Sequence, residues 1–117
     1  TADPLAAHPF LEVARSGGCA PPDPIGVPHG ELRALIRRQL LVERDGIVFH
    51  PDAIDAAAVA AARLLAATPD GFTVSQFREA LGITRKHAVP LAAELDSRGI
   101  TRRRGDSRIA GPRLPAL

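Results

Sequence analysis

The chain has 117 residues, of which 45% are apolar and 24% charged, as in a folded globular protein and unlike a disordered one. Its formal net charge of +2 is unevenly distributed: residues 1–84 carry 7 basic and 10 acidic side chains, whereas residues 85–117 carry 8 basic and 3 acidic ones. A basic end on an otherwise acidic chain indicates contact with a polyanion. A solvated basic tail without a partner is the simpler alternative.

The composition also argues against several classes of site. Cys19 is the single cysteine, so neither an internal disulfide nor a zinc site of the usual spacing is expected, and a cytoplasmic location is the simplest interpretation. No apolar stretch approaches the ~20 residues that a membrane-spanning helix needs. Because the chain contains no methionine, we expect it to be a fragment or a processed product of a longer protein.

The first half of the chain alternates helical periodicity with turn signals. The predicted elements are a helix at 5–14 capped by Asp3 and ended by 16–18, a helix at 28–39, a hairpin at 40–50 turning at Asp45-Gly46, and a long alanine-rich helix at 51–67.

The second half has the order of a winged helix, in which a helix-turn-helix is followed by a two-stranded hairpin, the wing. The predicted elements are an extended segment at 72–74, a helix at 76–81 capped by Ser75 and stopped by Gly82, a helix at 85–97 capped by Thr84, a second hairpin at 100–111 turning near Gly105-Asp106, and an extended tail at 112–117.

The two halves end alike, in a helix and a hairpin, which indicates a weak internal repeat. A shift of 59 positions lays residues 41–46 over 100–105 and places Ile36 on Leu95. We therefore predict a mostly α chain with small β-hairpins (α+β), built as two tandem winged-helix domains. Residues 1–52 would form a degenerate, spacer-like domain, and residues 53–117 would form the ligand-binding domain.

Arginine is concentrated in the second hairpin. With the 59-residue shift, the three positions before the turn glycine are Glu43–Asp45 in the first hairpin, with a net charge of −1, and Arg102–Arg104 in the second, with a net charge of +3. Because like charges on one hairpin repel each other, packing does not account for them, whereas an anionic ligand would. Two alternatives stay open, namely a solvated hairpin without a ligand and pairing of these arginines with the acidic first half.

The start of the predicted helix at 85–97 is a second candidate contact. Thr84, Arg85, Lys86 and His87 lie where unpaired backbone N–H groups and the helix dipole favour a phosphate. The alternative is an ordinary N-cap followed by two surface cations.

Beyond its first turn, this helix is poorly suited to reading a DNA groove, because small apolar residues are followed by Glu94 and Asp96. Base contacts would therefore come from the helix start and the second hairpin, a geometry that suits a folded RNA with accessible loop bases. Arginine pairs with phosphate and stacks on bases. No catalytic motif, phosphate-binding loop or metal-ligand spacing occurs, so neither an enzyme nor a cofactor or metal site is predicted.

Several segments of the second half follow the pattern of a known family. They are Phe72–Arg78, Leu81-Gly82, Arg85–Ala88, Leu95-Asp96, Gly99–Arg103 and Gly105–Arg108. This segment, 72–108, resembles the C-terminal end of the bacterial selenocysteine-specific elongation factor SelB. His87 departs from the family, many members of which carry Tyr there.

The resemblance implies the RNA-tethering end of a GTPase that delivers selenocysteinyl-tRNA to the ribosome at a UGA codon. Its terminal winged helix would bind an mRNA stem-loop, the selenocysteine insertion element, through Arg85, Lys86, Arg102, Arg103, Gly105 and Arg108. The other partners implied are the GTPase and tRNA-binding domains of the parent protein and, indirectly, the ribosome. Since this chain contains no GTPase domain, no enzymatic activity and no cofactor are expected of it.

The leading hypothesis is therefore a non-enzymatic RNA tether without a membrane partner. Its RNA-binding residues would be Thr84, Arg85, Lys86, His87, Arg102, Arg103, Arg104, Gly105 and Arg108. A winged-helix DNA-binding transcriptional regulator and a protein-interaction module are the alternatives.

Overall fold

The computed structural model describes residues 4–117, in which a short 3₁₀ helix and five α-helices accompany two small antiparallel sheets. The predicted α+β class is confirmed. The α-helices are α1 (Pro9–Gly17), α2 (His29–Arg37), α3 (Pro51–Ala67), α4 (Val74–Leu81) and α5 (Arg85–Ser97). The strands are β1 (Val42–Arg44), β2 (Ile47–Phe49), β3 (Phe72–Thr73), β4 (Thr101–Arg104) and β5 (Ser107–Ala110).

The N-terminal helix differs from its prediction. A 3₁₀ helix, Pro4–Ala7, precedes α1, which continues to Gly17 instead of ending at residue 14. The helix begins at Pro9 because proline suits a first helical turn and because Nδ1 of His8 accepts the N–H of Phe10 at 3.1 Å. The predicted cap, Asp3, lies outside the described residues.

The helix α3 has the predicted bounds, and an unpredicted residue caps it. Nδ1 of His50 accepts the N–H of Asp52 at 3.0 Å, directly before Pro51 at the first helical position. The alanines on its inner face, among them Ala57 and Ala61, are fully buried, so α4 and α5 pack closely against it.

The helix α4 starts two residues earlier than predicted, because Thr73 and not Ser75 is its N-cap. Oγ1 of Thr73 accepts the N–H of Gln76 at 3.2 Å, and Oε1 of Gln76 accepts the N–H of Thr73 at 2.8 Å. This reciprocal pair is a capping box. The predicted stop is confirmed: Gly82 ends α4 in the left-handed conformation, with φ of 67°.

The helix α5 has the predicted bounds and runs through Pro90, but the hydroxyl of its N-cap Thr84 makes no capping hydrogen bond, contrary to expectation. After it, β4 and β5 form the second hairpin, and β3 pairs with β5 to give the sheet order β3-β5-β4.

The C-terminal tail turns back towards the end of α5 and is not simply extended as predicted, since the N–H of Arg113 donates to the carbonyl of Gly99 at 2.9 Å.

Two apolar clusters hold these elements together. The smaller cluster joins α1, α2 and the first hairpin, and its buried residues are Phe10, Ala14, Leu35, Leu41 and Val48. The larger cluster is built on α3, α4 and α5, with Phe72 and Phe77 stacked at 5.7 Å between ring centroids. The first hairpin contributes to both, because Val48 lies in the smaller cluster and Phe49 in the larger one.

The repeat between the halves has a register of 60 residues, so the 59-residue shift is wrong by one. The N–H of Leu40 donates to the carbonyl of Leu35, and the N–H of Ile100 donates to the carbonyl of Leu95, both at 3.0 Å. The strand pairs agree with this register, since Arg44 faces Ile47 as Arg104 faces Ser107. The polar sequence around the turns allowed either shift, whereas backbone hydrogen bonds distinguish them.

The two hairpin turns are accordingly different. In the first hairpin, Asp45 and Gly46 both have positive φ, of 53° and 80°, as a type I′ turn requires. In the second, only the first turn residue, Gly105, has positive φ, of 60°, which is the type II′ pattern. Both turns are two residues long, so both hairpins are short and tightly closed.

Candidate nucleic-acid interface

The second hairpin carries its arginines on both faces. Arg102, Arg103 and Arg104 are all exposed. Because side chains alternate along a strand, Arg102 and Arg104 lie on one face and Arg103 on the other, towards α5. From the sequence, the three arginines are predicted to form one charged patch. In the structure they lie on two different faces of the hairpin.

The face with Arg103 opens onto a cavity of about 290 Å³, here named the arginine cleft. The cleft lies between the second hairpin and the N-terminal ends of α4 and α5. Its lining residues are Thr73, Val74, Ser75, Arg85, Arg103, Asp106 and Arg108. Three guanidinium groups, one carboxylate and two hydroxyls therefore surround a space in which an anion with hydrogen-bond acceptors would be favoured.

The remaining residues of the predicted α5 contact do not line the cleft. Nζ of Lys86 lies 3.9 Å from a carboxylate oxygen of Asp23, in the proline-rich loop of the first half. The Thr84 side chain is exposed at the helix start. His87 is half-buried, and its Nδ1 is a buried polar atom without a hydrogen-bond partner among the described residues.

Arg108 is buried, unlike the other arginines of the second hairpin. Its Nε and Nη2 donate to Oδ2 of Asp96 at 3.3 and 3.2 Å, and Oγ1 of Thr101 donates to Oδ1 of the same carboxylate at 2.6 Å. Asp96, Thr101 and Arg108, here named the polar cluster, thus join the end of α5 to both strands of the hairpin. Only an edge of the Arg108 guanidinium remains available to a ligand.

The C-terminal half of α5 is covered by the first half of the chain. Glu94 accepts hydrogen bonds from Nε of Arg44 in β1 at 3.2 Å and from Nε of Arg98 at 2.7 Å. The Glu94 side chain is only 11% exposed, so this ion pair links the two halves in a partly desolvated setting. A groove-reading helix would need this surface free.

The proposed pairing of the second hairpin with the acidic first half is not observed. Within residues 4–117, no ion pair connects Arg102, Arg103 or Arg104 to an acidic side chain. The cationic groups of this hairpin therefore face solvent, and the cost of their mutual repulsion is not relieved inside the protein.

Sequence reasoning missed the part of the cleft that α4 supplies. Thr73 and Ser75 line it because the β3–β5 pairing brings the start of α4 beside the second hairpin. The capping box at Thr73 and Gln76 was a detectable signal for this helix start, since Thr-x-x-Gln is a recognised N-terminal pattern. Nothing in the local sequence indicated that Glu94 would pair with Arg44.

Other kinds of site are not apparent in the described part of the chain. No group of three or more potential metal-ligating side chains occurs there, and no helix there is long and apolar enough to cross a membrane. Sγ of Cys19 lies 3.6 Å from the carbonyl oxygen of Ala53, and burial raises the pKa of this thiol. A protonated, enclosed thiol of this kind is a poor nucleophile.

Comparison with known proteins finds a family model that is similar to the second half. Residues 63–110 match the family model described as "Elongation factor SelB, winged helix". These residues are similar to the SelB winged-helix family over about two fifths of the chain. They contain the end of α3 and all of β3, α4, α5 and the second hairpin, so the match covers the whole arginine cleft.

Two solved structures extend this similarity to most of the chain. The mRNA-binding domain of elongation factor SelB from E. coli, solved in complex with SECIS RNA, is 26% identical over 69% of this chain and 67% of that one, with a TM-score of 0.60. A bacterial selenocysteine-specific elongation factor, EF-Sec, is 27% identical over 73% of this chain, with a TM-score of 0.62. The match spans only 14% of the EF-Sec chain. No curated protein sequence matches significantly.

Proposed function

We propose that this chain is the RNA-binding C-terminal part of a selenocysteine-specific translation elongation factor, which it tethers to the mRNA selenocysteine insertion hairpin. The observation that carries the proposal is the arginine cleft, a cationic cavity within the segment that matches the SelB winged helix. The similarity to a SelB domain in complex with SECIS RNA supports the same ligand class. Such a tether would act in the cytoplasm, without catalysis of its own and beside the parent protein's GTPase domains.

The second hairpin would supply contacts to the RNA backbone. Arg102 and Arg104 are exposed on the face away from α5, and neither has an ion-pair partner in the described residues. Exposed arginines of this kind contact phosphates, and such contacts set the salt dependence of binding rather than the sequence preference.

The arginine cleft would supply the sequence-dependent contacts. Arg85 and Arg103 reach it from two different elements, so an acceptor on a loop base meets donors from both sides. Thr84, Lys86 and His87 lie at the start of α5 beside Arg85 in the chain and would add contacts outside the cleft, as would Gly105 in the turn of the second hairpin. Arginine is effective here because its planar fork binds two acceptors at once.

Two domains are part of the proposal. Residues 1–52 would form the degenerate winged helix that acts as a spacer, and 53–117 the RNA-binding one. The separate apolar clusters and the 60-residue repeat support this division, although α3 begins at Pro51 and Phe49 packs in the larger cluster.

The DNA-binding alternative is less compatible with the interface. The positions of α5 that a major groove would meet after its first turn include Val89, which is 40% exposed, and the far end of the helix is occupied by the Arg44–Glu94 pair. Neither provides base-reading donors or acceptors.

The test is a titration of the chain with a fluorescent RNA stem-loop from a selenoprotein message, a hairpin of equal length with a scrambled loop, and a DNA duplex, all at physiological salt. We expect the native loop to bind at least ~100-fold more tightly than the other two, which is within the range of sequence-specific recognition. Equal, weak binding to all three ligands would reject the proposal and leave only nonspecific attraction to polyanions.

A further inference from the structure

The polar cluster is unusual because it occupies the junction between a helix and a hairpin, where apolar packing is the norm. Thr101 is 1% exposed and the Arg108 side chain is 8% exposed, so both are withdrawn from solvent. Asp96 receives all three hydrogen bonds and connects α5 to β4 and β5.

The first half of the chain shows what this junction needs for stability. In the 60-residue register, Asp96, Thr101 and Arg108 correspond to three apolar residues, which are Ile36, Leu41 and Val48. All three pack in the smaller apolar cluster, and Leu41 and Val48 are buried there. A hairpin of the same form is thus held on its helix without charges.

Stability therefore gives no reason for the polar residues at the second junction. A buried ion pair is often no better for stability than apolar residues of similar size, because both charges lose their hydration. The polar cluster also has a local cost to offset, since Arg108 lies directly opposite Arg103 in the β4–β5 pairing. Like charges in that arrangement destabilise a sheet, and Asp96 compensates one of them.

The orientation of Arg108 indicates what the cluster achieves. Asp96 binds Nε and Nη2, which leaves Nη1 without a protein acceptor among the described residues. Nη1 is not a fully enclosed atom, because the one buried side-chain N or O atom that lacks a partner in the described residues is Nδ1 of His87. Arg108 lines the arginine cleft, so this free nitrogen is its point of contact with a ligand.

We propose that Asp96 and Thr101 are positioning residues that fix the guanidinium of Arg108 at the floor of the arginine cleft, so that Nη1 donates to one acceptor of the RNA loop in a single geometry. This inference rests on the proposed RNA-binding function. A donor that is already fixed loses little conformational entropy on binding, so it penalises a misplaced acceptor. Arg108 then contributes to discrimination between loops, whereas Arg102 and Arg104 contribute to salt-dependent affinity.

The inference can be tested by replacing the three residues of the polar cluster with the apolar residues that occupy the equivalent positions in the first half. The triple variant Asp96→Ile, Thr101→Leu, Arg108→Val should keep the wild-type melting temperature or exceed it. Its Kd for the native loop should rise at least ~10-fold, the loss expected for one good hydrogen-bonded contact, and its preference over the scrambled loop should fall by the same factor.

Two single variants of unchanged shape keep the test decisive if the triple variant folds poorly. Thr101→Val removes the 2.6 Å hydrogen bond and retains both charges, and Asp96→Asn retains an acceptor for Arg108 without its charge. Each should reduce loop discrimination about 3- to 10-fold while the slope of log Kd against log salt is unchanged, because no phosphate contact is lost. Circular dichroism melting confirms that the compared proteins are folded.

The exposed residue Arg37 on α2 gives a matched control. Arg37→Ala removes a cation like Arg108, but outside the cleft, and should leave discrimination unaltered. Wild-type discrimination retained by folded Thr101→Val and Asp96→Asn proteins would overturn the positioning role while leaving the RNA tether intact. A wild-type chain that does not distinguish the loops would reject the proposed function itself, and this inference with it.

Discussion

The two hairpins of this chain have the same arrangement of strands, but their side chains have different roles. Arg44 and Arg104 occupy equivalent positions in the 60-residue register. Arg44 donates to Glu94 and fastens the first hairpin to α5, whereas Arg104 is exposed and has no ion pair within the described residues. The same residue type thus stabilises the protein in one hairpin and is available to a ligand in the other.

The comparison also shows two strand positions at which the second hairpin has an exposed arginine and the first hairpin has another residue. In the 60-residue register, Arg102 is equivalent to Val42 and Arg103 is equivalent to Glu43. Arg104 is equivalent to another arginine, Arg44. The first-hairpin residues pack or pair inside the protein: Val42 lies against the larger apolar cluster, and Glu43 is 3.4 Å from Arg33. Substituting both residues should therefore convert these two positions to the first-hairpin sequence and remove two of the three exposed arginines.

The largest effect is expected from that conversion. The variant Arg102→Val, Arg103→Glu gives these two positions of the second hairpin the residues that occupy the equivalent positions of the first. Because two charge-assisted contacts are lost, Kd for the RNA stem-loop should rise about 100-fold. The slope of log affinity against log salt should decrease by roughly 1, because Arg102 is the phosphate contact among the two. Both are measured by fluorescence titration at several salt concentrations.

The control for this variant has the same change in net charge at sites far from the cleft. Arg37→Val, Arg63→Glu alters exposed residues of α2 and α3. It should shift Kd only slightly, through long-range electrostatics that salt screens. Equal losses in the two double variants would mean that overall charge, and not the second hairpin, determines binding.

A smaller effect, on stability, is expected when the carboxylate of the polar cluster is removed. Asp96→Ala leaves the Arg108 guanidinium buried without its carboxylate. The free energy of unfolding should fall by about 2–3 kcal/mol, less than for a fully buried pair, because the Asp96 side chain is 23% exposed. Urea denaturation measures this loss.

The matching change in the first half is Ile36→Ala, which removes apolar contacts and leaves no charge unpaired. Its cost should be about 1–2 kcal/mol, since Ile36 is only partly buried. A larger loss for Ile36→Ala than for Asp96→Ala would contradict the comparison of the two junctions. Substitution of the exposed Asp55 of α3, outside the cleft, serves as a neutral reference, because surface substitutions usually stay within about 0.5 kcal/mol.

Single substitutions of the two equivalent arginines, Arg44 and Arg104, should have different effects: one on stability and the other on RNA binding. Arg44→Ala should lower the free energy of unfolding by about 1 kcal/mol, as for a partly exposed ion pair, and leave RNA affinity unchanged. Arg104→Ala should weaken RNA binding about 3- to 5-fold, with a shallower salt dependence, and leave stability unchanged. A double-mutant cycle of Arg44 with Glu94 measures the coupling directly, and zero coupling would remove the stabilising role of Arg44.

The smallest effect concerns Cys19, which reports on how the halves pack. Its thiol lies against α3, and burial raises its pKa, so at neutral pH it stays protonated. Alkylation by iodoacetamide should be much slower than for a free cysteine, should accelerate as the pH rises through the raised pKa, and should reach the free rate in urea. A fast reaction in the native protein would mean that the first half separates readily from α3.

The elements with strong local signals were predictable from the sequence. The Asp-Gly turn at 45 and 46, the alanine-rich helix α3 and the glycine stop at Gly82 depend on intrinsic backbone preferences, so the structure agrees with them. The cap of α4 was misplaced by two residues because Thr73 and Ser75 are both good N-caps, and only the reciprocal bond with Gln76 decides between them.

The candidate site was predictable only in its charges. Arg85 and Arg103 were identified from sequence, and the structure brings them to one cleft. The sequence did not distinguish Arg108 from its neighbours, because its burial depends on Asp96, 12 positions away, and on a strand pairing that composition does not reveal. The displacement of Lys86 towards Asp23 likewise depends on how the two halves pack.

The four phenylalanines lead to one further expectation for the interface. Phe10, Phe49, Phe72 and Phe77 are all buried, and the chain contains neither tyrosine nor tryptophan, so no large apolar aromatic ring stands on the described surface. A ligand in the arginine cleft would therefore cover little apolar area, and the heat-capacity change of binding should be small. The binding enthalpy should then be nearly the same at different temperatures, whereas the affinity should vary strongly with ionic strength.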